Sequence, residues 1–220
     1  MGKLLDRPNL RDQVYDILKR MIVLKEIKPG EKINEEELAD KVGVSRTPIR
    51  ETLCRLENEG IVRIIPRRGA FVVTLSREEI VEILQIREVL EGLVAQLASQ
   101  NMDKRTLSRL KVCLEKINSS PDGDNKLLKY TPADMDFHSL LLEASKNKML
   151  QNMMGIVNSH LQMIRLRTVV LPGRAQKTVE EHFKVLDAIE KGDIKAAERL
   201  MRKHIQSVRN DAVKNIDLME

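Results

Sequence analysis

Only one stretch of this chain reads as β structure, and its position constrains what the whole can fold into. Ile61-Val62-Arg63-Ile64-Ile65 and Ala70-Phe71-Val72-Val73-Thr74 are short β-branched runs joined by the basic turn Pro66-Arg67-Arg68-Gly69. That pattern predicts a β-hairpin. Three helical patterns precede it. From Leu10 to about Glu26, Val14, Ile17, Leu18, Met21 and Ile22 share one face, and Lys28-Pro29-Gly30 breaks the helix. The second starts with Asn34 as N-cap, turns Leu38 and Val42 inward and stops at Gly43. The third is capped by Ser45, buries Ile49, Leu53 and Leu56, and ends at Asn58-Glu59-Gly60. Helix, helix, turn, helix, hairpin is the order of a winged helix-turn-helix, which binds double-stranded DNA.

Bulk charge decides little. The net charge is +5, and residues 1–75 carry 15 Lys/Arg against 12 Asp/Glu, the remainder 23 against 21. A DNA contact must come from local placement. With Ile49, Leu53 and Leu56 buried, Ser45, Arg46, Thr47 and Arg50 show on the opposite, N-terminal face of the third helix. Arg46 and Arg50 are one turn apart. Arginine pairs bidentately with guanine, and the hydroxyls suit phosphates. Arg67 and Arg68 suit the DNA backbone or minor groove, with Gly69 allowing a tight turn. Two arginines on a helix are equally a solvated face; the basic hairpin directly after them weighs for DNA.

The composition shifts at Thr74–Ser76, which sets the expected domains at 1–75 and 76–220. Everything after Ser76 reads as helix, giving a mainly α protein with a C-terminal all-helical bundle of six to seven helices. Ser76 and Glu79 form a capping box for a helix to about Ser99, and Asp103 caps one to about Ile117. Ser119 to Gly123 is a loop. Helices follow at about Asn125–Ala144, restarting near Thr131-Pro132, and at Lys148–Val170, ended by Pro172-Gly173. A helical hairpin, 175–191 and 193–215, turns at Gly192 with Asp193 as cap. With three Phe, two Tyr and no Trp, the core must come from Leu, Ile, Val, Met and Ala. Cys54 and Cys113 match no metal or redox spacing and read as small reduced core residues. The start carries Lys, Asp and Arg without a long apolar run, unlike a signal peptide, and no apolar stretch is long enough for a membrane span. The expected location is cytoplasmic.

The helical region holds polar groups where apolar ones belong. Asp134 and His138 are one turn apart. His182 lies ten residues before Gly192 and His204 twelve after it, so an antiparallel pair brings them to one height. Both sit among apolar neighbours. One carboxylate and three imidazoles on three helices make a site for Zn²⁺, Ni²⁺ or Mn²⁺. The plain alternative is that Asp134 completes a capping box with Thr131, and that each histidine is a hydrogen-bonded core residue. His160 has no partner by spacing and reads as structural or surface.

Residues 38–53, Leu-Ala-Asp-Lys-Val-Gly-Val-Ser-Arg-Thr-Pro-Ile-Arg-Glu-Thr-Leu, with Arg55-Leu56-Glu57, Gly60 and Pro66-Arg67-Arg68-Gly69-Ala70-Phe71-Val72-Val73, closely resemble the DNA-binding module of the GntR family. The resemblance implies that Arg46, Thr47 and Arg50 read or clamp an operator, with Gly69 at the wing tip. In one branch an arginine of the second helix also touches DNA; the matching position here is Glu36, so that contact is not carried over. Arg87-Glu88-Val89-Leu90-Glu91, Asp134-Met135-Asp136-Phe137-His138, Glu181-His182 and Met201 with His204-Ile205 resemble the FCD effector domain of the FadR-type branch. Metal-binding members use one Asp and three His, which map to Asp134, His138, His182 and His204. The acyl-CoA ligand of the branch's namesake is not implied, since that protein lacks this set. Arg87 beside a metal suits a carboxylate effector; a salt bridge to Glu91 or another acid is the alternative.

The expectation is a homodimeric transcription factor, a repressor more readily than an activator, on a palindromic DNA operator, responsive to a small organic acid. Two rivals stand: a metal-dependent hydrolase with a DNA-binding appendage, and a non-specific DNA binder with a structural metal. No general base or nucleophile accompanies the Asp/His set, which counts against the first.

Overall fold

A computed structural model describes residues 10–118, 125–169 and 171–216, and the chain parts into two compact units between Thr74 and Leu75. In the first unit, α1 (Leu10–Val23), α2 (Glu35–Val42) and α3 (Arg46–Asn58) precede β2 (Val62–Ile65) and β3 (Gly69–Val72). A third strand, β1 (Lys32–Ile33), was not legible as a strand and extends the expected hairpin to an antiparallel sheet of order β1-β3-β2. Two residues are too short for a periodicity; the register Lys32 to Phe71 and Ile33 to Ala70 is what makes them a strand.

The helices form as their caps dictate. The Asn34 side chain accepts from the Glu36 and Glu37 amides at 3.1 and 3.4 Å. Gly43, at φ 76°, closes α2 in the left-handed region. Val14, Leu18, Ile22, Ile49, Leu53, Leu56 and Ile61 are buried together with 1% exposure or less. Two side chains depart from the apolar pattern. Ile17 is 42% exposed, while Tyr15 is buried and donates its hydroxyl to Glu59 at 2.7 Å. Cys54 is exposed, against expectation: α3 buries Ile49, Thr52, Leu53 and Leu56, and position 54 falls off that stripe. Cys113 is buried and free.

The second unit is all helix among the described residues: α4 (Arg77–Asn101), α5 (Lys104–Asn118), α6 (Asn125–Ala144), α7 (Lys148–Val169), α8 (Arg174–Glu190) and α9 (Ile194–Lys214). The Ser76–Glu79 capping box forms, Asp103 accepts from the Thr106 amide at 2.7 Å, and Asp193 accepts from the Ala196 amide at 2.9 Å. The loop expected at 119–123 falls outside the described residues. α6 does not restart at Pro132 but runs through it. Thr131 is therefore inside a helix, and the capping-box reading of Asp134 is overturned. α9 packs along α4 and against α8, and the shared core is mostly aliphatic around Phe137, with Leu84, Leu110, Leu114, Leu141, Val185, Met201 and Ile205. Among the described residues no helix is long and apolar enough to cross a membrane.

Candidate functional site

The DNA-facing candidates stand on α3 and the wing. Ser45, Arg46, Thr47 and Arg50 are exposed on the side of α3 opposite its buried stripe. Ser45 occupies the N-cap position with extended backbone, yet its hydroxyl makes no capping bond. The two arginines are not free. Arg46 pairs with Glu36, and Arg50 Nε donates to Glu35 Oε2 at 2.6 Å. That bond and the charge of Glu35 raise the Arg50 guanidinium further above its ordinary range.

At the wing, the Arg68 amide bonds the Ile65 carbonyl at 3.0 Å, with Pro66 second in the turn and Arg67 third at φ 63°. A left-handed third residue is the type II requirement, ordinarily met by glycine. Arg67, not Gly69, thus takes the turn's strained position. Gly69 sits at φ 107° at the start of β3, where an added Cβ would lie 3.0 Å from Lys32 Cε. Lys32, carried by the strand the sequence did not reveal, joins Arg67 and Arg68 as an exposed basic group of the wing.

In the helical unit, His138 from α6, His182 from α8 and His204 from α9 converge, each buried, with one donor atom apiece inside a 4.8 Å cluster. His182 Nε2 and His204 Nε2 are 3.2 Å apart. Two nitrogens on one ion with bonds of about 2.1 Å stand about 3–4 Å apart, so this separation fits a shared metal. Burial, then the mutual proximity of the imidazoles, holds His182 well below its ordinary range. Burial likewise lowers His204 to about 4, against the upward pull of Glu181. Neutral imidazoles are the form that binds metals. Asp134 lies at the cluster's edge, Oδ1 3.8 Å from His182 Nε2 and Oδ2 3.7 Å from Arg165 Nε. His160 is exposed and apart.

Carboxylates back two of the histidines. Glu181 Oε2 is 2.8 Å from His204 Nδ1, and Arg174 grips Glu181 at 2.5 Å while also bonding Ser207 and Asp211. Glu91 Oε1 is 3.0 Å from His138 Nδ1. An outer carboxylate hydrogen-bonded as Glu181 is to His204 fixes the tautomer that leaves the Nε2 lone pair available. Burial works to raise the Glu91 carboxyl, but His138, Arg87 and Arg165 outweigh it and hold it near 2. Glu181 is held near 2 by His204, Ser207 and Arg174, again against its burial. The salt-bridge alternative for Arg87 is realised: it pairs with Glu91 at 3.3 Å, and it also donates Nη2 toward His138 Nε2 at 3.2 Å. Beside His204 lies a cavity of about 30 Å³, lined by Arg87, Tyr130, Thr131, Asp134 and Arg165 among others. Thr131 Oγ1 and Arg165 Nε are buried there without a hydrogen-bond partner. Arg165 and Arg174 escaped the sequence reading, as did the places of Glu91 and Glu181 beside the histidines, although Glu91 was foreseen as a partner of Arg87. Only Glu91 and Glu181 had a signal available: an acid one turn after Arg87, and an acid adjacent to His182.

A winged helix-turn-helix ahead of an all-helical unit is the build of a two-domain transcriptional regulator. Family comparison narrows that class: the bacterial regulatory protein gntR family matches residues 10–72, and the FCD domain matches residues 82–207. The chain belongs to the GntR family of helix-turn-helix transcriptional regulators and carries an FCD effector domain. It is 32% identical over 192 residues to the uncharacterized HTH-type transcriptional regulator YdhC of Bacillus subtilis, covering 87% of this chain and 86% of YdhC. It is 26% identical over 207 residues to the HTH-type transcriptional repressor RspR of Escherichia coli K12, covering 94% of this chain and 90% of RspR. In fold it is similar to the solved structure of E. coli McbR/YncC, with a TM-score of 0.65 at 23% identity, covering 96% of this chain and 97% of that one.

Proposed function

We propose that the protein is a cytoplasmic, ligand-responsive repressor that binds a palindromic operator as a homodimer and senses a small organic acid at a divalent metal in its helical domain, residues 76–220. The observation that carries this reading is the convergence of three buried imidazoles on one point beside a cavity with unpartnered polar groups. Buried polar groups without partners are costly unless something completes them. His138, His182 and His204, with Asp134, would hold the ion, Zn²⁺ or Ni²⁺ first and Mn²⁺ next by donor type. Bound there, it supplies an electrophilic point for a carboxylate oxygen. Arg87 and Arg165 would take the rest of the anionic group, and Glu181 would keep His204 in the binding tautomer.

The cavity, about 30 Å³, holds a carboxylate or a few waters rather than a whole metabolite. Its walls come from α4, α6, α7, α8 and α9, so a larger ligand must displace helices to enter. Differential affinity of the ligand for the displaced arrangement is what would bias the DNA-binding domain, residues 1–75. In that domain Ser45, Arg46, Thr47 and Arg50 enter the major groove, and Arg67, Arg68 and Gly69 form the wing contact. A second copy is supported by exposed apolar side chains of the helical unit, Met149 at 68% and Ile86 and Val89 at 54%. The repressive sign follows the relative named as a repressor.

Two experiments test the reading. Arg46→Ala with Arg50→Ala should abolish operator-specific gel shifts with circular dichroism unchanged; retained specific binding refutes the recognition helix. Protein purified without chelator should carry one metal per subunit by elemental analysis. His182→Ala with His204→Ala should lose it, and equal metal retention refutes the site.

A further inference from the structure

We infer that Glu35 and Glu36 of α2 are specificity-determining residues: by occupying the guanidinium groups of Arg50 and Arg46, they suppress binding to DNA of arbitrary sequence and so widen the gap between operator and bulk DNA. The inference rests on α3 being the recognition helix, as proposed above. Three carboxylates, Glu35, Glu36 and Glu37, crowd the first turn of α2, directly after the Asn34 cap. The helix dipole welcomes acids there, but two of them reach beyond their own helix. Glu35 accepts from Arg50 Nε at 2.6 Å, and Glu36 pairs with Arg46.

These pairs are exposed, with side-chain exposures of 65% and 31% for Arg50 and Glu35, and 51% and 68% for Arg46 and Glu36. Exposed ion pairs add little to stability. Their consequence is electrostatic: the two cations expected to reach into the groove are each matched by a carboxylate. Non-specific DNA binding is driven by counterion release, which scales with the cations free to neutralise phosphates. An arginine held by a carboxylate contributes less to that term on every sequence. The helix before the recognition helix crosses the DNA backbone, so Glu36 also faces phosphate repulsion wherever the protein lands. A guanine edge offers two oriented acceptors to one guanidinium, a partner with the geometry to replace the carboxylate. Arbitrary DNA offers only the repelled, delocalised phosphate field.

The test uses the full-length, metal-loaded protein. A duplex enriched from a random-sequence library by the wild type serves as operator, and its scrambled version as bulk DNA. Dissociation constants are measured on both over a salt series for wild type, E35Q, E36Q and the double variant. For the double variant, affinity for scrambled DNA should rise on the order of tenfold, and the salt dependence there should steepen by up to about two ions. Operator affinity should rise less, so the specificity ratio falls. An unchanged or weakened affinity for scrambled DNA overturns the inference whatever happens at the operator, and so does an equal rise on both duplexes. Arg46→Ala with Arg50→Ala runs in the same series. If that variant keeps specific binding, the recognition-helix reading has failed; if it loses it while the Gln variants change nothing, this inference alone has failed.

Discussion

The two units place the charged side chains of their candidate sites in opposite settings. In the DNA-binding unit the pairs beside the candidate recognition helix lie on the surface, Arg50–Glu35 at 65% and 31% exposure and Arg11–Glu51 at 65% and 40%, while Lys19–Glu59 is more enclosed at 12% and 26%. In the helical unit Arg87–Glu91 stands at 3% and 1%, and Arg174–Glu181 at 3% and 18%. The first unit folds on its aliphatic core and carries function outside it, so the two can be altered separately. The second places its candidate binding groups inside its core, so folding and function share the same atoms. Buried charge is costly to desolvate and stays only where every partner is kept.

The largest effect that comparison predicts is at Glu91. Glu91→Leu leaves Arg87 buried without its carboxylate and strips His138 Nδ1 of its neighbour. Breaking a buried pair from one side costs about 3–5 kcal/mol, whereas Glu35→Gln, at the surface, should cost less than about 1 kcal/mol. Urea denaturation of both variants measures the gap. Equal costs would break the distinction between the units.

Acid should separate them next. All four histidines lie beyond residue 76, so the DNA-binding unit has no imidazole to titrate. In metal-stripped protein His204 is held near 4 and His182 well below its ordinary value, so both are neutral when folded. Unfolding lets them take up protons below about 6.5. The helical unit's stability is therefore complete above about 6.5 and is lost as pH falls toward 4, on the order of a few kcal/mol. Below about 4.5 the loss continues, because Glu91 and Glu181 are held near 2 in the fold. A divalent ion competes with those protons and should shift the acid limb downward. Thermal melts at pH 7, 5.5 and 4.5, with and without a chelator, check this. A helical transition insensitive to pH between 7 and 4.5 in chelated protein contradicts the neutral buried histidines.

Legibility in the sequence followed the same divide. Caps and apolar spacing revealed the helices because Asn34, Ser76, Asp103 and Asp193 act on neighbouring amides. The histidine cluster was legible because α6 holds Asp134 and His138 one turn apart and the α8–α9 hairpin equalises the heights of His182 and His204. Arg165 and Arg174 were not, since their partners lie up to 37 residues away and only packing brings them together. β1 was hidden for the same reason. Ile17 and Cys54 show the converse failure: apolar type alone does not say which side of a helix faces inward.

An effect smaller than either in the helical unit is expected at Gly69, where the DNA-binding unit also couples fold to function. Alanine at φ 107° costs about 1–2 kcal/mol for its backbone alone. Its methyl would also meet Lys32 Cε at 3.0 Å, a contact a flexible side chain relieves by swinging away. Gly69→Ala should thus lower the melting point of this unit by several degrees and weaken DNA binding a few-fold by moving the Lys32 ammonium. The backbone cost does not depend on Lys32, while the binding loss does. A cycle with Lys32→Ala separates them. The stability loss should be the same in both backgrounds, and the binding loss should shrink once Lys32 is gone. A binding loss that persists undiminished in the Lys32→Ala background would place the effect in the wing backbone, and Lys32 would no longer count among the groups that touch DNA.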